Sequence, residues 1–139
     1  MDFCIRLLNV NDYQKYLPLI NEFRSTQFTK EQFVETLDLI NRSSEIWIIE
    51  KDDDLIATGT IIYESKFIFN ISKVAHIEDI CVQSKYRGQG FGKLMVKHLV
   101  ELSKNNKCYK VVLECSEDNS HFYEKCGFEK RGLQMSQLT

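Results

Sequence analysis

The stretch with the clearest chemical character is Tyr86-Arg87-Gly88-Gln89-Gly90-Phe91-Gly92-Lys93. Glycines spaced this closely let a backbone approach a ligand, and a helix following them offers unpaired N–H groups and the positive end of its dipole. That combination is an anion site, best suited to phosphate. The neighbourhood agrees: Ile80 to Val100 holds four Lys or Arg and no acid, in a chain of net charge −2. The competing description is a tight turn followed by a solvated basic helix face. Two nucleotide motifs do not fit. A P-loop would put Arg87 at its first glycine and Leu94 at its Ser/Thr, and the dinucleotide fingerprint GxGxxG reads GxGxG here.

Other reactive side chains are less telling. Cys81, Cys115 and Cys126 fall in apolar segments and are expected to be buried, inert thiols. They show no metal-ligand spacing with His76, His98 or His121, so no metal is expected. Five cysteines, including Cys4 and Cys108, are an odd number without a CxxC pair, which points to a reduced, cytoplasmic setting.

These residues need elements to position them. Ile5 to Leu8 reads as a strand, followed by a helix capped by Asn11 or Asp12, in which Pro18 implies a kink or a restart. Thr29-Lys30-Glu31-Gln32 has the capping-box pattern, with Phe33, Leu37 and Ile40 continuing at helical spacing. Ile46–Glu50 and Leu55–Tyr63 flank the acidic, solvated turn Asp52-Asp53-Asp54 as a hairpin. Val74–Val82 is a strand leading to the glycine loop, and the helix after it carries Phe91, Met95, Leu99 and Leu102 on one face. Tyr109–Glu114 is a short strand, Asn119 caps a brief helix ending at Gly127, and Phe128–Met135 can form a last strand. The fold class is α/β, a mixed and mostly antiparallel central sheet flanked by helices.

With 139 residues and 16.3 kDa, the chain supports one core and one domain, 1–139, with a folded surface of about 7,500 Å². Eighteen basic against twenty acidic side chains exclude a general nucleic-acid coat or a basic membrane-surface protein. No apolar run reaches the length of a membrane span, and the front of the chain lacks a signal-peptide pattern.

Arg87-x-x-Gly90-x-Gly92 resembles the coenzyme A pyrophosphate loop of the GNAT superfamily of N-acetyltransferases, and the order of elements is similar to that fold. His76-Ile77-Glu78-Asp79-Ile80, Cys108-Tyr109-Lys110, Leu113-Glu114-Cys115 and the block from Asn119 to Phe128 narrow the resemblance to the glucosamine-6-phosphate N-acetyltransferase family. The similarity covers nearly the whole chain. It implies acetyl-CoA as co-substrate, an amino sugar phosphate as acceptor, amino-sugar nucleotide synthesis as setting, and a homodimer with its C-terminal region near the partner's site. Other readings are a transferase for a polyamine or a protein N-terminus, and a non-catalytic coenzyme A-binding module.

The same resemblance implies the site. Coenzyme A would lie against Ile80, Cys81 and Val82, against Arg87, Gly88, Gln89, Gly90, Phe91, Gly92 and Lys93, and against Asn119 and Tyr123. Tyr123 would serve the leaving thiolate, and Glu114 would orient the amine or help remove its proton. Glu78 and Asp79 would contact the sugar; because neighbouring strand residues face opposite sides, both can do so only across a bulge. Arg24, Lys66 and Lys110, with Tyr109 alongside, would serve the phosphate end. The chain departs from the family pattern at Phe69, where relatives often carry His, and at Leu138, where a basic residue commonly stands.

Overall fold

The hairpin expected at the acidic run is the spine of the sheet in the computed structural model, which describes residues 2–139. β2 (Ser44–Lys51) and β3 (Asp54–Ser65) pair antiparallel, and the turn residues Asp52 and Asp53 have φ of 52° and 61°. A left-handed pair matches the twist of a two-residue hairpin, and aspartate tolerates that conformation better than most residues. β1 (Phe3–Leu7) adds to β2, β4 (Lys73–Val82) pairs antiparallel with β3, and β5 (Lys110–Leu113) lies parallel beside β4. The order is β1-β2-β3-β4-β5, mixed and mostly antiparallel as expected.

Each face of the sheet has its own cover. α1 (Tyr13–Phe23) and α2 (Lys30–Ile40) bury Tyr16, Leu19, Phe33 and Leu37 against Ile46, Ile48, Leu55 and Cys81. Thr29 and Gln32 form the expected capping box at the start of α2. After the short turn α3 (Ile68–Ile71) and β4, α4 (Phe91–Asn105) seals the opposite face. Its Met95 and Leu99 are fully buried among Ile49, Ile56, Ile61 and Ile77, with Phe91 and Leu102 partly buried at the ends of the stripe. α5 (Glu117–Lys125) follows β5 and stops at Gly127, which has φ 96°.

Several expectations need correction. α1 runs through Pro18 without a restart, because packing of Tyr16 and Leu19 offsets the one hydrogen bond proline cannot donate. Asp12 stands at the N-cap of α1, yet its carboxylate turns back to the Asn9 N–H (2.8 Å) and to the Arg6 guanidinium (2.9 Å), while Asn9 caps the preceding 3-10 turn. Ser116, not Asn119, occupies the N-cap of α5; the acids Glu117 and Asp118 then fall in its first turn, where the helix dipole favours them. Cys115 is exposed rather than buried, since β5 ends before it. The last strand does not form: residues 126–139 carry no regular structure, Gly132 has φ 69°, and Leu133, Met135 and Leu138 are exposed. A stretch that can extend does not become a strand without a paired edge.

Candidate active site

The site begins where the sheet opens. β4 pairs with β5 only from Val74 opposite Lys110 to Ile77 opposite Leu113, so residues 78–82 run on without a β5 partner. On the other side β4 bulges: Thr58 faces Cys81 and Thr60 faces Glu78, leaving Asp79 and Ile80 opposite the single residue Gly59. Asp79 takes φ 54° at this point. The bulge on which the Glu78–Asp79 expectation depended is therefore present. A Cβ on Gly59 would lie 2.7 Å from Ile80 Cδ1 and 2.9 Å from Met95 Cγ, so only glycine lets α4 close over the bulge.

The loop after β4 has the form that its composition requires. Gly88 and Gly90 have φ of 79° and 89°, and Gly90 caps α4 with its carbonyl accepting from Leu94 N (3.0 Å). The N–H groups of Phe91, Gly92 and Lys93 precede that first helical bond and have no partner within the helix. Arg87 Nε donates to Val82 O (2.9 Å), tying the loop to the end of β4. Among the described residues Lys85, Arg87 and Lys93 are not paired with any carboxylate, so both backbone dipoles and free cations are present for an anion. Ile80 and Val82 pack toward α4, whereas Cys81 is buried on the opposite face and its thiol points to Leu19 O (3.6 Å). Only the backbone of Cys81 is available to a ligand.

α5 docks at the same opening. The Phe122 ring comes within 3.4 Å of where a Gly92 Cβ would stand, and Val82 Cγ2 within 3.5 Å of the same point. Tyr123 is half-buried between Phe122 (4.9 Å between ring centroids) and Phe128 (6.2 Å). Burial pushes its phenol pKa up, with Cys115 and Cys126 adding to the shift, so it stays protonated at neutral pH. Among the described residues its hydroxyl has no protein hydrogen-bond partner. Asn119 lies one helical turn earlier on the same face of α5.

Three carboxylates complete this end. The Glu78 carboxyl is pushed up by burial and then by the charges of Asp79 and Glu114, with His76 opposing, which places all three acids within electrostatic reach. Glu114 is exposed just past β5 and accepts from Gln134 Nε2 of the C-terminal segment.

A family model described as the acetyltransferase (GNAT) family matches residues 11–128. The chain belongs to the GNAT acetyltransferase family. It is 39% identical over 137 residues to glucosamine 6-phosphate N-acetyltransferase 1 of Dictyostelium discoideum, covering 94% of this chain and 87% of that one. To the Arabidopsis thaliana glucosamine 6-phosphate N-acetyltransferase it is 38% identical, covering 96% and 95%. The crystal structure of glucosamine-6-phosphate N-acetyltransferase from Arabidopsis thaliana superposes with a TM-score of 0.91 at 36% identity, covering 99% of each chain. A Trypanosoma brucei acetyltransferase structure matches with a TM-score of 0.94 at 28% identity, covering 99% of this chain and 100% of that one.

Within this GNAT fold the remaining predicted residues separate into groups. Val111 and Leu113 pack toward α4, so Lys110, Val112 and Glu114 lie on the opposite face, beside His76 and Glu78. Lys110 and Glu114 are thus about 13 Å apart on one face, four residues at strand rise. Lys66 is paired with Glu64 (3.3 Å), whose other oxygen accepts from His76 Nε2 (2.9 Å). Arg24 is exposed at the C-cap of α1, where its N–H bonds Ile20 O. Gln134 joins the site through Glu114 unannounced by any motif, and Phe122, within the Asn119–Phe128 block but given no role there, joins it through Gly92. Two surface concavities lie elsewhere, both bordered by Leu17 and Gln27.

Proposed function

We propose that this acetyltransferase moves the acetyl group of acetyl-CoA to the amine of glucosamine 6-phosphate, by direct attack in a ternary complex. The observation that carries the reading is the polarity of one sheet face. Three carboxylates gather where β4 opens, and Lys110 stands about 13 Å away at the other end of β5. That pattern suits an acceptor with an ammonium at one end and a phosphate at the other. The printed names of the relatives agree with it.

Family membership and position together support the residue roles. The loop Arg87–Lys93 and the start of α4 would hold the coenzyme's pyrophosphate, and the edge of Ile80–Val82 that has no β5 partner would lie along the pantetheine and polarise the thioester carbonyl. Asn119 would contact the coenzyme from α5. Glu114, with Glu78 and Asp79, would orient the amine, and Glu114 would take up its proton. Tyr123 would donate a hydrogen bond to the departing thiolate; full proton transfer from a phenol near 10 to a thiol near 8.5 is uphill by about 2 kcal/mol, and burial widens that gap. Lys110, Lys66, Arg24 and Tyr109 would receive the phosphate end.

The whole chain, 1–139, would act as one acetyltransferase domain, paired as a homodimer through its C-terminal region and working in the cytoplasm. Free thiols at all five cysteines suit a reduced compartment, and among the described residues no helix is long and apolar enough to cross a membrane. Its product would feed amino-sugar nucleotide synthesis. The test is release of free coenzyme A from acetyl-CoA with a panel of amines: glucosamine 6-phosphate, glucosamine, a polyamine and a peptide N-terminus. Preference for the phosphorylated sugar is expected; equal rates with and without the phosphate would refute the acceptor and leave the transferase.

A further inference from the structure

α3 is a costly piece of chain that turns one ring inward. Phe69, Asn70 and Ile71 follow one another at φ of 57°, 56° and 63°, a conformation unfavourable for non-glycine residues and most of all for β-branched isoleucine. Hydrogen bonds from Lys66 N to Ser72 O and from Ile71 N to Phe67 O, both 3.2 Å, close the segment. Phe67, Ile68 and Ile71 remain 94%, 59% and 78% exposed, so their burial does not offset the strain.

What the turn achieves is the placement of Phe69. Its ring stacks on Tyr109 with centroids 4.2 Å apart and planes at 9°. Lys110 Nζ lies 5.2 Å from the centroid of the same ring. Tyr109 and Lys110 are themselves fixed to β4, by Tyr109 N on Lys73 O (2.8 Å) and by the Val74–Lys110 register. Lys66 has a carboxylate partner in Glu64, whereas Lys110 has none among the described residues. An aromatic face attracts an ammonium without cancelling its charge, so a lysine held this way stays available to an anion.

We propose that Phe69 is a positioning residue: with Tyr109 it forms an aromatic seat that fixes the Lys110 ammonium for the phosphate of the acceptor. This rests on the acceptor proposed above and adds to it the device that sets the phosphate end. The test compares wild type, Phe69→Leu and Phe69→Tyr by kinetics with glucosamine 6-phosphate and with glucosamine, and by NMR of the Lys110 ε-methylene. In wild type, ring currents should move that signal upfield of ordinary lysine positions; an unshifted signal overturns the seat without any variant. Phe69→Leu should lose the shift and raise KM for the phosphorylated acceptor about threefold to thirtyfold. Its kcat, its KM for acetyl-CoA and its rate with glucosamine should not change, and Phe69→Tyr should behave as wild type. An unchanged KM in Phe69→Leu, or an equal loss with both acceptors, overturns the positioning role. If wild type shows no preference for the phosphorylated sugar, the acceptor reading fails first and this inference falls with it.

Discussion

The fold disfavours the ionised form of Glu78. Burial and the nearby charges of Asp79 and Glu114 raise its pKa, so the folded protein binds this proton more tightly than the unfolded chain does. The stability attached to it is complete below the ordinary glutamate value and is lost as pH rises through the raised one. Glu78→Gln should therefore raise the thermal midpoint at neutral pH, with the gain shrinking as pH falls to about 4, while activity drops. Thermal scans across that range check the sign; a variant less stable than wild type at neutral pH would contradict it. Tyr123 is the second test at this scale. Tyr123→Phe removes one hydroxyl that has no protein partner among the described residues, so packing should survive. Its kcat should fall about tenfold to a hundredfold, with KM for acetyl-CoA within about twofold. Turnover unchanged in a folded Tyr123→Phe would take the phenol out of the reaction.

Among the elements, those whose signal is local were legible in the sequence. The hairpin declared itself by runs rich in Ile, Trp, Thr and Tyr around three aspartates, α2 by its Thr29–Gln32 box, and α4 by glycines followed by a stripe at helical spacing. The loop was legible for the same reason, whereas Glu78 and Asp79 came only through the family resemblance, because an acid on a strand is ordinarily a solvated charge. What depended on partners was not. Phe128–Met135 could form a last strand, but a strand exists only on an edge, and Lys130 instead bonds Glu117 (2.8 Å) while Gln134 bonds Glu114. Asn119 was misplaced as a cap because Ser116 begins α5 earlier. The need for a bulge could be stated from adjacent acids, but its location required Gly59, on another strand. Gly59→Ala tests that element. Its Cβ would crowd Ile80, Met95 and Leu99, all within 3.0 Å, at a cost of about 1–3 kcal/mol. Because Ile80 lies on the open run of β4, KM for acetyl-CoA should rise along with the loss in urea-unfolding stability. A destabilised variant that binds acetyl-CoA normally would separate the bulge from the coenzyme groove.

At the scale of the molecule, the folded chain exposes 9646 Å² against about 7,500 Å² expected for a compact monomer of its mass. The excess has identifiable sources. Leu133, Met135 and Leu138 in the C-terminal segment are at least 91% exposed, and Phe67, Ile71 and Tyr109 add apolar surface around the start of β5. Gln134, between the two exposed residues Leu133 and Met135, turns inward to Glu114, so the segment shows one side to the carboxylates and an apolar side to solvent. A second copy lying against that side would cover Leu133, Met135 and Leu138 and would need further surface to reach the roughly 1,600 Å² of a standard interface. On the proposed homodimer, Leu133→Lys combined with Met135→Lys should shift the sedimenting species from twice 16.3 kDa toward 16.3 kDa at micromolar concentration. Activity should fall with it, because the segment that carries Gln134 would lose its cover and Glu114 its donor. Wild type sedimenting as a monomer would end the dimer proposal, and a monomeric variant with full turnover would show that each chain completes its own acceptor pocket.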